Sequence, residues 1–355
     1  MEECHGAIVV MNILVVNNMA PFVWGGAEEL AAHLLKNLRA ANVNAELLRI
    51  PFTWDPAERL LEEILLCRSL RLSNVDRVIA LKFPAYLIPH ENKTFWLLHQ
   101  YRQAYDLWDA GLSNIPENAR GEEIRRVIQS ADNKAFNTGK KIFVNSPVTK
   151  ERLRKYNGFS SEVLMPPLND PHLFDNKEYG NYIFAGGRIN SAKRQHLLLE
   201  AMRWVKSPIQ LIIAGPPDSL HDAETLQNCI KENHLQDRVK LDLRFLGRDE
   251  LANYVNNSLA CAYLPIDEDS VGYVTMEAFC ASKAVITCHD SGGLLEIVKQ
   301  GETGLLCEPC PKMLAENIEY MSNNIQKTKE MGAAAKNLWD EKNITWPATI
   351  ERILA

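Results

Sequence analysis

The amino-acid sequence predicts an α/β protein built from two doubly wound domains. Three observations carry this. Short apolar runs alternate with longer amphipathic ones, the pattern of a parallel sheet covered by helices. The alternation breaks once, at MPPLNDPHLFDNKEYGN (165–181), a stretch rich in Pro, Asn and Asp that reads as an interdomain linker, and then restarts. The 355 residues exceed what one hydrophobic core usually serves.

In the first half the strand candidates are NILVV (12–16), AELLRI (45–50), RVIAL (77–81), TFWLL (94–98) and KIFVN (141–145). AEELAAHLLKNLRAA (27–41) places apolar residues at helical spacing, and a second helix runs through EEIRRVIQSADNKAF (122–136). After the linker, strands are expected at YIFAG (182–186), IQLIIAG (209–215), VKLDLRFLG (239–247), SLACAYL (258–264), AVIT (284–287) and GLLC (304–307). RQHLLLEAMRWV (194–205) and MLAENIEYMSNN (313–324) fit helices, and the tail reads as two more, broken near Ile344. The domains are therefore 11–167 and 168–342, with a C-terminal helix over about 343–355 packing back on the first. Residues 1–10 read as an extension before the first strand, because Met11 begins a better strand than Met1. In doubly wound sheets ligands bind beyond the carboxyl ends of the strands. Two such domains facing across a cleft would put the chemistry there.

Composition excludes several classes. Apolar content of 46% and charged content of 24% are ordinary for a soluble globular protein. The net charge of −6 speaks against a nucleic-acid partner. The basic run TKERLRK (149–155) reads as a solvated helix face. No apolar run is long enough to cross a bilayer, and the first charges are acidic where a secretory signal would be basic, so a cytoplasmic location is expected. The eight cysteines are dispersed in apolar surroundings, as reduced thiols in a cytosolic protein would be. Cys307 and Cys310 make a lone CxxC around Pro309. No second ligand pair stands at zinc spacing, so we read it as a loop.

The most informative stretch is PIDEDSVGYVTMEAFCASKAVIT (265–287). Asp269 and Glu277 bracket Gly272 where a loop becomes a helix. A helix N-terminus offers free N–H groups and a positive dipole end to a phosphate, while a carboxylate on its first turns can hold ribose hydroxyls. The restart of the chain, FAGGRINSAKRQH (184–196), adds a strand ending at Gly186 and Gly187, then Arg188, then Lys193 before a helix. Glycines permit close backbone approach, and an arginine fork plus a lysine suits a diphosphate. The two segments together read as a seat for a sugar nucleotide.

In the first half, NNMAPFVWGGAEELA (17–31) joins a strand to a helix, with Gly25 and Gly26 just before the helix. This is not GxGxxG, and the loop is too long for a dinucleotide turn. Two readings stand: the glycines start the helix, or its N-terminus faces the donor. His99 ends a strand in LLHQYRQAYDLW (97–108), and Lys82 ends the preceding one. A lone histidine at a strand end is more often structural than catalytic. The polar and aromatic density after it, including Tyr101 and Arg102, suits a loop that contacts sugars. Asp267 and Asp269 spell DxD, a divalent-metal signature elsewhere. Arg188 and Lys193 could neutralise a diphosphate alone, so no metal is expected.

These segments resemble the retaining glycosyltransferases of family 4, with the GT-B fold of two Rossmann-like domains. The likeness runs from Met11 over nearly the whole chain. DSVGYVTMEAFCASKAVIT is similar to the family's E-x7-E region and the strand after it. GGR with Lys193 is similar to its phosphate-binding pair, WGGAEELA to its N-terminal glycine loop, and VNSPVTKERL (144–153) to its segment before the linker. The resemblance implies that Arg188 and Lys193 grip the diphosphate and Glu277 holds the ribose. It implies that Asp269 holds hydroxyls of the transferred sugar, with Gly187 and the amides around Gly272, Tyr273 and Val274 also facing the donor. His99 would sit near the reacting carbon, with Lys82, Tyr101 and Arg102 on the acceptor side, and the tail near Trp346 would cross back to the first domain. Two departures stand out: Asp269 is one methylene shorter than the family's Glu, with Glu268 one residue out of register, and Ser282-Lys283 replaces Gly-x before the next strand.

The function implied is retaining transfer of a sugar from a nucleotide-diphosphate donor, UDP before GDP, to a glycan or lipid-linked acceptor in cell-surface polysaccharide synthesis. Front-face displacement would need no cofactor and no protein base. A lipid-linked acceptor would require only peripheral contact at the inner face of a membrane, and no obligate protein partner is implied. The alternatives are a sugar-nucleotide epimerase of the same fold and a binding protein that has lost transfer, which the Asp269 departure keeps open.

Overall fold

A computed structural model describes residues 11–355. The extension read over residues 1–10 lies outside the described residues. The chain forms two compact units. One holds the described residues through Pro167 together with Thr345–Ala355, and the other holds Leu168–Ile344.

The first unit runs β1 (Asn12–Met19), α1 (Gly26–Ala40), β2 (Asn44–Pro51), α2 (Leu60–Ser69), β3 (Arg77–Ala80), β4 (Lys93–Leu97), a single turn α3 (Asp106–Asp109), α4 (Ala119–Asn137), β5 (Lys141–Val144), α5 (Pro147–Asn157) and β6 (Glu162–Val163). Its six strands are parallel in the order β2-β1-β3-β4-β5-β6. Alternate residues of a strand face opposite sides. Ile13 and Val15 accordingly share one core with Leu30, Leu34 and Leu38 of α1, while Val16 shares the other with Leu60 and Ile64 of α2 and Ile124 and Ile128 of α4.

The second unit runs β7 (Tyr182–Gly186), α6 (Gln195–Met202), β8 (Gln210–Ala214), α7 (Leu220–Glu232), β9 (Val239–Asp242), α8 (Arg248–Asn256), β10 (Ala260–Ala262), α9 (Tyr273–Cys280), β11 (Val285–Cys288), β12 (Gly304–Cys307), α10 (Pro311–Asn323) and α11 (Ile325–Glu341). Its parallel sheet has the order β12-β11-β10-β7-β8-β9. The chain leaves β7 in one direction through β8 and β9, then returns to β10 on the other side. The switch point of this sheet therefore lies between the carboxyl ends of β7 and β10, where ligands bind in folds of this kind.

The last helix, α12 (Trp346–Leu354), belongs to the first unit. Thr345 caps it, with Pro347 in its first turn. Trp346 meets Trp96 edge to face at 6.2 Å. Arg77 donates to the carbonyls of Ile353 (3.1 Å) and Leu354 (2.7 Å), acceptors that a helix C-terminus leaves without intrahelical partners. Among the described residues no helix is long and apolar enough to cross a membrane.

Candidate functional site

The loop after β7 is built against the loop after β8. The Gly187 N–H donates to Ala214 (3.1 Å), the Ile189 N–H to Pro216 (3.0 Å), and the Asp218 N–H to Ile189 (3.0 Å). Gly187 has φ +103°, a region that favours glycine. This pairing sets Asp218 under Arg188, whose Nε and Nη2 donate to its two oxygens at 2.8 and 2.6 Å. Asn190 then makes a turn. It donates to Asp218 at 2.9 Å, and its side-chain oxygen accepts the Lys193 N–H at 2.9 Å.

Lys193 is thereby turned towards the end of β10. Its Nζ donates to the Tyr263 hydroxyl at 2.8 Å and to the Glu268 carboxylate, and the Tyr263 hydroxyl donates to Glu268 at 3.2 Å. Burial, and then the Glu268 charge, hold the Tyr263 hydroxyl far above its ordinary pKa, so it stays protonated. Arg194, the next residue, is buried and structural. It donates to the carbonyls of Leu264 and Pro265 and to both oxygens of Asp290, and lowers the Asp290 pKa. The loop at 267–270 is further fastened by the N–H groups of Asp267 to Asp290 (2.8 Å) and Glu268 to Ser291 (3.2 Å).

This fastening presents the start of α9. Gly272 caps it with φ +72°, and a Cβ there would lie 2.5 Å from Tyr263 Cε1. A Cβ at Gly187 would lie 3.4 Å from Val274. So the two strand-end loops meet at two places: Gly187 beside Val274, and Lys193 on Tyr263, the ring under Gly272. Asp269 is 8% exposed on the same loop. Glu277 stands three residues beyond Val274, hence on one face of α9. It is 2% exposed and accepts from Arg248 Nη1 at 2.6 Å. Among the described residues no group of three or more His, Cys, Asp or Glu is placed to hold a metal ion.

The first unit presents its own residues separately. Gly25 caps α1 in an extended conformation, and its N–H donates to Glu28 Oε2 at 3.0 Å. An acidic group of the chain itself thus occupies this helix start. Tyr101 is a core residue, its ring 5.0 Å from Phe83 and 6.1 Å from Phe52. Arg102 donates to Asp106 at 2.6 and 2.8 Å, and Arg152 lies 3.5 Å from the same carboxylate.

His99 Nδ1 lies 2.6 Å from the carbonyl oxygen of Gln100, which can only accept, so Nδ1 carries the proton. Burial first, then the charge of Lys82, drop its pKa to about 3 against the pull of that carbonyl. The ring is neutral and cannot supply a cation near pH 7. We expect its NMR ring shifts to stay constant from pH 8 to 5. An unfolded histidine protonates near ~6.5, so this site withdraws stability as pH falls from there towards 3. His99→Gln removes that contribution, and a shift change centred near pH 6.5 would refute the assignment.

Residues 172–338 match the family described as glycosyl transferases group 1. The chain is 27% identical over 231 residues to the alpha-1,3/1,6-mannosyltransferase ALG2 of Mus musculus, covering 57% of this chain and 54% of that protein. It spans about half the length of the curated relatives it matches. Its fold is shared with sucrose-phosphate synthase from Thermosynechococcus elongatus (17% identity, 97% of each chain, TM-score 0.77). It is also shared with Anabaena HepE, solved in complex with UDP-glucose (17% identity, 97% of this chain and 98% of that one, TM-score 0.71). The fold is the GT-B type, and the family match supports a glycosyltransferase.

Four groups escaped the sequence reading: Asp218, Tyr263, Glu268 as the partner of Lys193, and Arg248. Glu268 was visible only as a residue out of register. Asp218 lies 30 residues from Arg188 and Arg248 lies 29 from Glu277, and no local pattern joins them.

Proposed function

We propose that the chain is a retaining glycosyltransferase whose second domain holds a nucleotide-diphosphate sugar at its switch point. The observation that supports this is the junction of the two loops, which brings Gly187, the residue before Arg188, beside Val274 and sets Lys193 on Tyr263, the ring under Gly272. In this reading the two cations and the first amides of α9, around Gly272, Tyr273 and Val274, take the diphosphate, and Glu277 takes the ribose. Asp269 takes hydroxyls of the sugar. Charge that develops on the leaving phosphate oxygen is met by fixed positive groups, the strongest form of such stabilisation. The acceptor hydroxyl passes its proton to that oxygen as the glycosidic bond forms on the same face. Neither a metal nor a protein base is required, which suits a neutral His99. The first domain would take the acceptor, with Lys82 and Arg102 the polar groups read for it.

The donor we favour is a UDP-sugar, with GDP-sugars next. HepE was solved with UDP-glucose, and the ALG2 relatives are named as mannosyltransferases, which supports a hexosyl donor. The acceptor in this reading is a cell-surface glycan or its lipid-linked precursor, reached from the cytoplasm with at most peripheral membrane contact. A thermal-shift screen of UDP-, GDP- and ADP-sugars tests this. We expect one nucleotide class to stabilise the protein and its sugar to be released slowly without acceptor. Stabilisation by none of them overturns the reading, and an altered sugar nucleotide formed without acceptor would make the protein an epimerase instead.

A further inference from the structure

Glu277 is buried and carries the one carboxylate of α9, and a carboxylate in such a place is costly unless a cation meets it. Arg248, the first residue of α8, is that cation. Its guanidinium is fixed from other sides as well. Nη2 donates to the Asn169 carbonyl at 3.0 Å, and the group lies 5.0 Å over the Phe174 ring. The helix that carries it starts at Gly247, whose N–H donates to Glu250 Oε2 at 3.2 Å. Arg248 is therefore a clamp held in place by the chain's own groups. A planar fork spans two acceptors in fixed directions, which an ammonium on a flexible stem does not.

We infer that Arg248 is a positioning residue for the donor: it sets the Glu277 carboxylate to receive the ribose hydroxyls and ties it to the segment around Asn169 that opens the second domain. This rests on the reading of Glu277 as the ribose ligand given above. A carboxylate clamped by an arginine presents acceptors only, so its second partner must donate. The ribose 2′- and 3′-hydroxyls do so, and a 2′-deoxyribose offers one donor fewer. Arg248 touches no part of the nucleotide in this scheme. Its removal acts through the loosened Glu277.

The test is ribose discrimination by the full chain, measured as the ratio of Kd for 2′-deoxy-UDP to that for UDP, with the GDP pair in parallel. For a hydrogen bond to a charged group we expect wild type to prefer the ribonucleotide by roughly tenfold or more. Glu277→Gln and Arg248→Ala should both bring the ratio close to one, and Arg248→Lys should retain part of it. If Arg248→Ala does not fold, Arg248→Gln, which keeps a polar donor and part of the stem, takes its place. A lost preference in Glu277→Gln with the wild-type ratio kept in both Arg248→Ala and Arg248→Gln overturns this inference alone. No preference in wild type for either nucleotide pair overturns the ribose reading and this inference together.

Discussion

Arg188→Ala and Lys193→Ala should each lower turnover at saturating donor on the order of a hundredfold or more, the usual cost of removing one fixed donor from a developing oxyanion. Within the chain both cations are paired, Arg188 with Asp218 and Lys193 with Glu268. These pairs do not argue against the role. Arg188 is 41% exposed, and exposed ion pairs contribute little, so exchanging one carboxylate for a diphosphate costs little. What the carboxylates supply is a fixed position for the end of each long side chain. Lys193 is the more constrained of the two, lying 5.1 Å over the Tyr263 ring as well as bonding its hydroxyl. We therefore expect Lys193→Ala to lose turnover with some loss of thermal stability, and Arg188→Ala to lose turnover with almost none. Steady-state kinetics beside melting curves separate the two. Normal turnover in both variants would end the assignment of the diphosphate to this loop.

The fold was readable because a parallel sheet covered on both faces writes itself as continuous apolar runs. YIFAG and GLLC coincide with β7 and β12, and the break near Ile344 falls between α11 and α12. Boundaries failed where chemistry overrode apolarity. VKLDLRFLG reads as nine strand residues, yet β9 ends at Asp242. There Arg244 pairs with Asp242 and Glu250, and Phe245 is exposed, so the rest is loop. SLACAYL shrinks to Ala260–Ala262, although the Tyr263 N–H still donates to the Ile286 carbonyl at 3.0 Å. Helices α2, α7 and α8 were not singled out, since polar residues cover most of α7 and α8 and apolar ones ring α2, whereas the basic run read as a solvated helix face lies within α5.

In the candidate site, the residues tied to one loop were legible and their partners were not. Gly187, Arg188, Lys193, Gly272 and Glu277 stand out because strand ends, glycines and charges cluster in short windows. The burial of Glu277 was invisible, since helical spacing alone cannot say which carboxylate finds an arginine. Ser282-Lys283 gains a physical account. Ser282 adopts φ +56°, the conformation a glycine would take there most easily. Lys283 is fully buried, donating to Asn176 at 2.8 Å and lying 4.0 Å over the Tyr179 ring, and burial lowers its pKa to about 8.

Gly215→Ala should be strongly destabilising although it adds a single carbon. Gly215 follows β8 with φ +145°, and a Cβ there would lie 2.1 Å from the Gly187 carbonyl oxygen and 2.8 Å from its carbon. Both are backbone atoms, so no rotamer change relieves the collision. The hydrogen bonds of Gly187 to Ala214 and Ile189 to Pro216 hold the two segments together on either side of it. The segments must part, and Arg188 moves with them. The strained φ alone costs about 1–3 kcal/mol, and the clash adds to it. At roughly 2–4 °C of melting temperature per kcal/mol for a domain of this size, we expect a fall of about 5–10 °C. Nucleotide-induced stabilisation should weaken with it. Gly158→Ala is the control, because Gly158 caps α5 at φ +75° with nothing within 4 Å of a Cβ, so strain acts there without collision. Its melting point should fall by less, and its response to nucleotide should match wild type. A Gly215→Ala protein that melts like Gly158→Ala and binds UDP or GDP like wild type would show that the β7 and β8 ends are not the rigid seat proposed for the donor phosphates.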